Sequence, residues 1–206
     1  MLSLNSRHQA LHVLPFALLP LAIALMTHVT AFSQEQVEPK QEEKYVDDKY
    51  EFSITVGAPW KSARLQTFTV PGVARAAYAQ PGGSSIVIFL QEPGQAFDPR
   101  FLVDMSASSI ERSLGATVRE KDVKSIDEKK AMWLVVEGKG TGGAIDGKGD
   151  VQTTQHWVAI PRKKDVVVAL LTSPTSDYDE NRKSFEAALK TFQVGGEQTE
   201  QQAGSQ

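Results

Sequence analysis

The sequence predicts an α+β fold, an α/β/α sandwich in which an antiparallel sheet of six or seven strands carries one helix on each face. Three observations predict it. The runs Ile86–Leu90 (IVIFL), Ala131–Val136 (AMWLVV) and Val166–Leu171 (VVVALL) are apolar at every position, the pattern of strands covered on both sides. The joints exclude parallel neighbours. Pro161–Asp165 has five residues and the 14-residue stretch Glu137–Asp150 holds six glycines, whereas a parallel crossover takes a dozen or more residues, usually helical. Two amphipathic segments supply the helical covers.

Taken in order, Phe52, Ile54 and Val56 alternate with Ser53 and Thr55, which predicts a half-buried strand ended by Gly57 and Pro59 and followed by Trp60. Lys61–Val73 is irregular, with Leu65, Phe68 and Val70 pinning it to the core. Ala74–Ala79 and Ser85–Gln91 flank Gln80-Pro81-Gly82-Gly83-Ser84 and read as a hairpin, stopped by Pro93 and Gly94. Asp98 and Pro99 are an N-cap and first-turn pair. Val103, Ala107, Ile110 and Leu114 then recur at helical spacing, and Gly115 stands where a left-handed cap belongs.

Val118–Ile126 is polar with scattered Val118, Val123 and Ile126, as an edge strand should be, and Arg119, Lys121 and Lys124 discourage further pairing. Ala131–Val136, Thr154–Ile160 and Val166–Leu171 follow as strands. Ser176-Asp177-Tyr178-Asp179-Glu180 offers a cap and two first-turn acids for a second helix, whose apolar face is Tyr178, Phe185, Leu189 and Phe192.

The 206 residues divide into four parts. Residues 1–33 have the layout of a secretory signal: Arg7 and His8, the apolar run Val13–Thr27, and small residues at Ala31-Phe32-Ser33 before Gln34. The run has 15 residues, contains Pro15 and Pro20, and is short against the ~20 that span a bilayer. Cleavage is the expected fate and retention as an N-terminal anchor the alternative, with export to the periplasm or the medium in prospect. Residues 34–49 (QEQVEPKQEEKYVDDK) read as a disordered acidic linker, 50–194 as the folded domain, and 195–206 as a disordered tail.

A net charge of −3 gives no electrostatic footprint for nucleic acid or anionic lipid. The absence of cysteine excludes disulfides, thiolate metal sites and a thiol nucleophile.

The predicted strand order, the two helix positions and the opening F-x-I-x-V-x-x-P-W (Phe52, Ile54, Val56, Pro59, Trp60) resemble the PsbP-like α/β/α superfamily, with its bacterial secreted, DcrB-type members. The resemblance covers Tyr50–Val194. It implies a non-catalytic binding or assembly module, and carries no ligand-binding residue onto this chain.

Several constellations imitate chemistry. Gly138-x-Gly140-x-x-Gly143 spells a dinucleotide fingerprint after a strand, but that motif needs a helix N-terminus behind the glycines, and here another strand follows. Gly142-x-x-x-x-Gly147-Lys148 lacks the hydroxyl a P-loop needs, since Gly149 stands there. Asp146 and Asp150 are too few for calcium, which takes about 6–8 oxygens. His156 shares a strand face with Thr154, Val158 and Ile160. As a general base it would need a nucleophile and an orienting acid, and no G-x-S-x-G or S-x-x-K supplies the first. A partly buried, hydrogen-bonded histidine is the expectation. Arg162-Lys163-Lys164 reads as a solvated turn tip, and Trp60, Trp133 and Trp157 as core.

No catalytic, cofactor-binding or metal residue is therefore assigned. The functional expectation is a secreted or periplasmic, non-catalytic module contacting a protein or envelope component. The alternatives are a carrier of a small apolar ligand between sheet and helix, and a hydrolase with His156 in its site. The composition leaves the oligomeric state open.

Overall fold

The computed structural model describes residues 42–93, 97–141, 144–145 and 150–195. The signal segment, residues 34–41 and the tail from 196 lie outside them.

Eleven strands and two helices occupy the described residues. In chain order they are β1 (Glu43–Asp47), β2 (Phe52–Val56), β3 (Lys61–Ser62), β4 (Val73–Ala79), β5 (Ser85–Gln91), α1 (Pro99–Leu114), β6 (Thr117–Ile126), β7 (Lys129–Thr141), β8 (Ala144–Ile145), β9 (Val151–Pro161), β10 (Val166–Pro174), α2 (Tyr178–Leu189) and β11 (Gln193–Val194). The main sheet runs β3-β4-β5-β10-β9-β7-β6 with every neighbour antiparallel, and β8 pairs with β7 beyond this path.

The doubly apolar strands sit at the centre, as their composition requires. Ile88 pairs with Ala169, Ala169 with Val158, and Val158 with Trp133. Because successive side chains alternate between faces, each strand feeds two cores. Ile86, Ile88, Leu90, Val167, Ala169 and Leu171 pack on one side with Tyr178, Phe185 and Leu189 of α2. Val87, Phe89, Val166, Val168 and Leu170 pack on the other with Leu102, Val103 and Ala107 of α1. One helix therefore lies on each face, as the sequence predicts.

α1 forms where its caps say it should. The Asp98 carboxylate accepts from the Arg100 and Phe101 amides at 2.8 and 3.1 Å, and Gly115 closes the helix at φ +61°. β6 is the sheet edge, also as expected.

Four details differ from expectation. β2 is a strand, but it belongs to a separate three-stranded sheet, β1-β2-β11, whose Phe52, Ile54 and Val56 join α2 in covering one face of the main sheet. Alternation reports that a strand is half-buried and is silent on which ladder it joins. Glu43–Asp47, assigned to the disordered linker, forms β1, and Tyr45 packs on the core. The hairpin after Val136 is longer than expected: β7 runs to Thr141 and Gly140 pairs with Val151, so Gly138 and Gly140 are strand residues. Finally, no side-chain cap bond forms at Asp177, which stands in helical conformation at the end of the 3-10 turn Thr175–Asp177.

Candidate interaction surface

α1 carries apolar residues beyond those its core face needs. Leu102, Val103 and Ala107 point inward and are buried. Phe101 and Met105, four residues apart and therefore on one stripe, point outward at 56% and 46% exposure. Phe97 stacks parallel to Phe101 with ring centroids 6.4 Å apart. Beside them, Val73 at the start of β4 is 55% exposed.

These residues border a groove of about 420 Å³ lined by Val73, Leu90, Phe97, Leu102, Met105 and Val166, among others. Glu92 is the one charged side chain among its described lining residues. Isolated exposed apolar residues are ordinary, but a group gathered around a concavity marks a contact surface.

The groove's rim is set by one glycine. A Cβ on Gly72 would lie 2.1 Å from the Leu90 carbonyl oxygen, so only glycine lets the chain run this close to β5. The Gln91 side-chain amide, through Nε2, donates to the Pro71 carbonyl at 2.9 Å and fixes the rim from the other side.

The residues that sequence patterns single out lie elsewhere. His156 is wholly enclosed rather than partly buried. Its Nδ1 and the Tyr178 hydroxyl are 3.2 Å apart, and Trp133 and Phe185 lie edge-on to it at 4.4 and 5.2 Å. Its Nε2 makes no hydrogen bond among the described residues. Burial, reinforced by the positive charges of Arg182 and Lys124, pushes the imidazole down to about 3. Burial likewise pushes the Tyr178 hydroxyl up to about 12. Among the described residues the ring's one hydrogen-bond contact is the Tyr178 hydroxyl, and no carboxylate orients it as base catalysis needs.

Gly138 and Gly140 belong to β7, so no helix N-terminus backs them. Gly142, Gly143, Asp146, Gly147, Lys148 and Gly149 lie outside the described residues, and Asp150 is exposed. No group of three or more His, Asp or Glu among the described residues could hold a metal ion.

Arg162 departs from the reading of a solvated turn. It is buried and bidentate on Asp165 at 2.6 and 2.7 Å, and it donates to the Tyr50 and Gly195 carbonyls at 2.6 and 3.2 Å. It thereby clamps the β9–β10 turn to the β1–β2 turn and to the residue after β11, which meet at one end of the small sheet, while Lys163 and Lys164 are exposed.

Asp47 has a similar task. Burial alone would raise its carboxyl. Hydrogen bonds from Arg75 at 2.7 Å, the Tyr50 amide and the Tyr45 hydroxyl outweigh burial and hold it below the usual carboxylate range. Trp60 and Trp133 are buried and Trp157 half-buried, all packed in or against the cores.

Sequence patterning passed over the groove because it sorts helix residues by the stripe facing the core. The usable signal is Phe101 and Met105, a spaced apolar pair off that stripe, with Phe97 four residues before Phe101.

No family model matches the chain, and no curated protein does. Solved structures do. The cyanobacterial PsbP (CyanoP) of Synechocystis superimposes with a TM-score of 0.54 at 10% identity, covering 78% of this chain and 96% of its own. The Ran-binding protein Mog1p of Saccharomyces cerevisiae gives 0.50 at 11% identity, covering 77% and 97%. At such identities the likeness is one of architecture. The seven-strand antiparallel sheet with its two helices is the PsbP/Mog1-like α+β fold.

Proposed function

We propose that this chain is an exported, non-catalytic binding module that engages a protein partner through the apolar groove beside the N-terminal half of α1. The observation that carries this reading is the gathering of Val73, Phe97 and Met105 around one concavity, with Phe101 stacked on Phe97, where burial against a partner would remove them from water. Aromatic and methionine side chains are the types enriched at the centres of protein interfaces. That a yeast protein of this fold is a Ran-binding protein supports binding as the mode of action. Export rests on residues 1–33, whose charged start, short apolar run and Ala31-Phe32-Ser33 end have the layout of a cleavable signal.

The other readings find less support. An apolar carrier would need space between sheet and helix, and both interlayers hold apolar side chains packed against one another, buried at the centre and half-buried at the margins. A hydrolase would need substrate to reach His156, which is sealed from solvent.

The test places a photo-crosslinking residue at Met105 or, as a control, at exposed Lys190, in cells making the full chain. A discrete adduct from position 105, absent at 190 and lost when Phe101→Ser is added, is expected. The same adducts from both positions, or persistence with Phe101→Ser, would overturn the groove. N-terminal sequencing of the exported protein should begin at Gln34; an intact Met1 terminus in the cytoplasm would overturn export.

A further inference from the structure

We propose that a second cleft, at the opposite end of the sheet from the groove, is a binding subsite for an uncharged, polyhydroxylated ligand the size of a sugar unit. Gly82 and Gly83 of the β4–β5 turn form one wall. Gly140 of β7 contributes another, and Thr153 of β9 and Thr172 of β10 also line it. Its volume, about 350 Å³, falls within the ~300–1,000 Å³ typical of small-molecule sites.

The hydroxyls at this end of the sheet divide into two sets. Ser173 and Ser84 are saturated. Their Oγ atoms are 3.1 Å apart, both accept from Asn181 Nδ2 at 2.9 Å, and Ser173 also donates to the Pro174 carbonyl. Through them Asn181 anchors α2 to the sheet. Thr172 precedes Ser173 and so faces the other side of the sheet. It is 5% exposed, and its hydroxyl has no hydrogen-bond partner among the described residues and opens on the cleft. Thr153, 3% exposed, reaches only the carbonyl of Val151 in its own strand, at 3.4 Å, long for a hydroxyl bond. Two nearly buried hydroxyls with unused capacity therefore line one concavity.

The ligand's chemistry follows from the lining. The described residues that line the cleft are glycines, hydroxyl-bearing and apolar residues, a lining that suits an uncharged ligand. An apolar ligand would leave the Thr172 hydroxyl dry. A hydroxyl can both donate and accept and turns its proton to suit, so hydroxyls on the ligand match hydroxyls on the protein. Gly83, at φ +88° and with nothing within 4 Å of where a Cβ would stand, presents open backbone to a ligand, while at Gly82, at φ +99°, the Asp177 carboxylate stands 3.8 Å from that point and offers a further acceptor for a ligand hydroxyl.

The experiment titrates the isotope-labelled full chain with glucose, galactose and maltose, reading backbone amide shifts. Sodium phosphate and the tripeptide amide of alanine serve as comparators. At least one sugar is expected to move the amides of Gly82, Gly83, Thr153 and Thr172 while those around Met105 stay still. Thr172→Val should weaken that binding by about two- to tenfold, the worth of one hydrogen bond, and Thr172→Ser should restore it. Since the Thr172 hydroxyl has no partner among the described residues, Thr172→Val should keep or raise the melting temperature. Sugars that move no cleft amide well above millimolar concentration would overturn the proposal. So would a cleft that answers only to phosphate or the peptide amide, a Thr172→Val variant that binds unchanged, or one that melts markedly earlier.

Discussion

His156 Nδ1 and the Tyr178 hydroxyl, 3.2 Å apart, join β9 to the first turn of α2 inside a wall of Trp133 and Phe185. The contact anchors the start of α2 to the sheet, where Asp177 makes no side-chain cap bond to the backbone amides of the first turn. A network of charges lies nearby, with Arg182 bonding Glu186 and Glu120, and Glu120 bonding Lys124, whose ammonium sits 4.1 Å over the Trp133 ring.

Acid should weaken the fold through His156. Its folded value of about 3 lies below the ordinary 6.5, so the unfolded chain takes up a proton that the folded chain refuses. The stability this contributes is fully present above the unfolded value and is lost as pH falls from 6.5 towards 3. Between pH 7 and pH 4 the loss is on the order of 3 kcal/mol. Urea denaturation at several pH values should show this slope, and His156→Leu should flatten it; an unchanged slope in that variant would assign the effect to other groups.

Asp47 acts in a lower window. Its carboxyl is held below the ordinary 3.8, so its contribution is present above that value and disappears as pH falls through the folded one. Asp47→Asn should cost about 2 kcal/mol at pH 7, the range for hydrogen bonds to a charged group, and the gap to wild type should close in strong acid. A constant gap at all pH values would mean that packing, not charge, carries the effect.

Arg162 should be among the least replaceable surface-loop residues. Arg162→Ala leaves Asp165 and two carbonyls without their donor and should cost about 3–5 kcal/mol. Arg162→Lys should recover only part of that, because a lysine cannot serve Asp165 as a fork and reach both carbonyls. Equal stability of the lysine variant and wild type would show that charge alone suffices.

Gly72→Ala should cost about 2–3 kcal/mol by forcing its methyl against the Leu90 carbonyl. Phe101→Ser and Met105→Ser, on the exposed stripe of α1 rather than the stripe of Leu102, Val103 and Ala107, should each stay within about 0.5 kcal/mol of wild type. Thermal denaturation of the three variants side by side separates the rim's architecture from its contact face.

The sheet's centre was legible because burial on both sides leaves no polar position, and no short joint can reverse an antiparallel hairpin into a parallel pair. α1 was legible because Asp98 and Gly115 do local work that neighbours cannot override. The rest depends on distant partners. Nothing near Asp47 in the sequence announces Arg75, 28 residues on, so a charged stretch that folds as β1 looks like linker. Arg162 has its carboxylate three residues away, a readable signal, but the carbonyls of Tyr50 and Gly195 that bury it are not. The unused hydroxyl of Thr172 emerges only when the strands are laid in register.

The small sheet places β1 and β11 on either side of β2: Asp47 and Val194 both pair with Phe52. The described chain thus enters through β1, with Glu43 opposite Val56, and leaves through β11, with Val194 opposite Phe52, both strands lying on the α2 side, while Met105 and its neighbours look out from the α1 side. Any tether fastened to either end would hold the domain by its back and turn the groove outward.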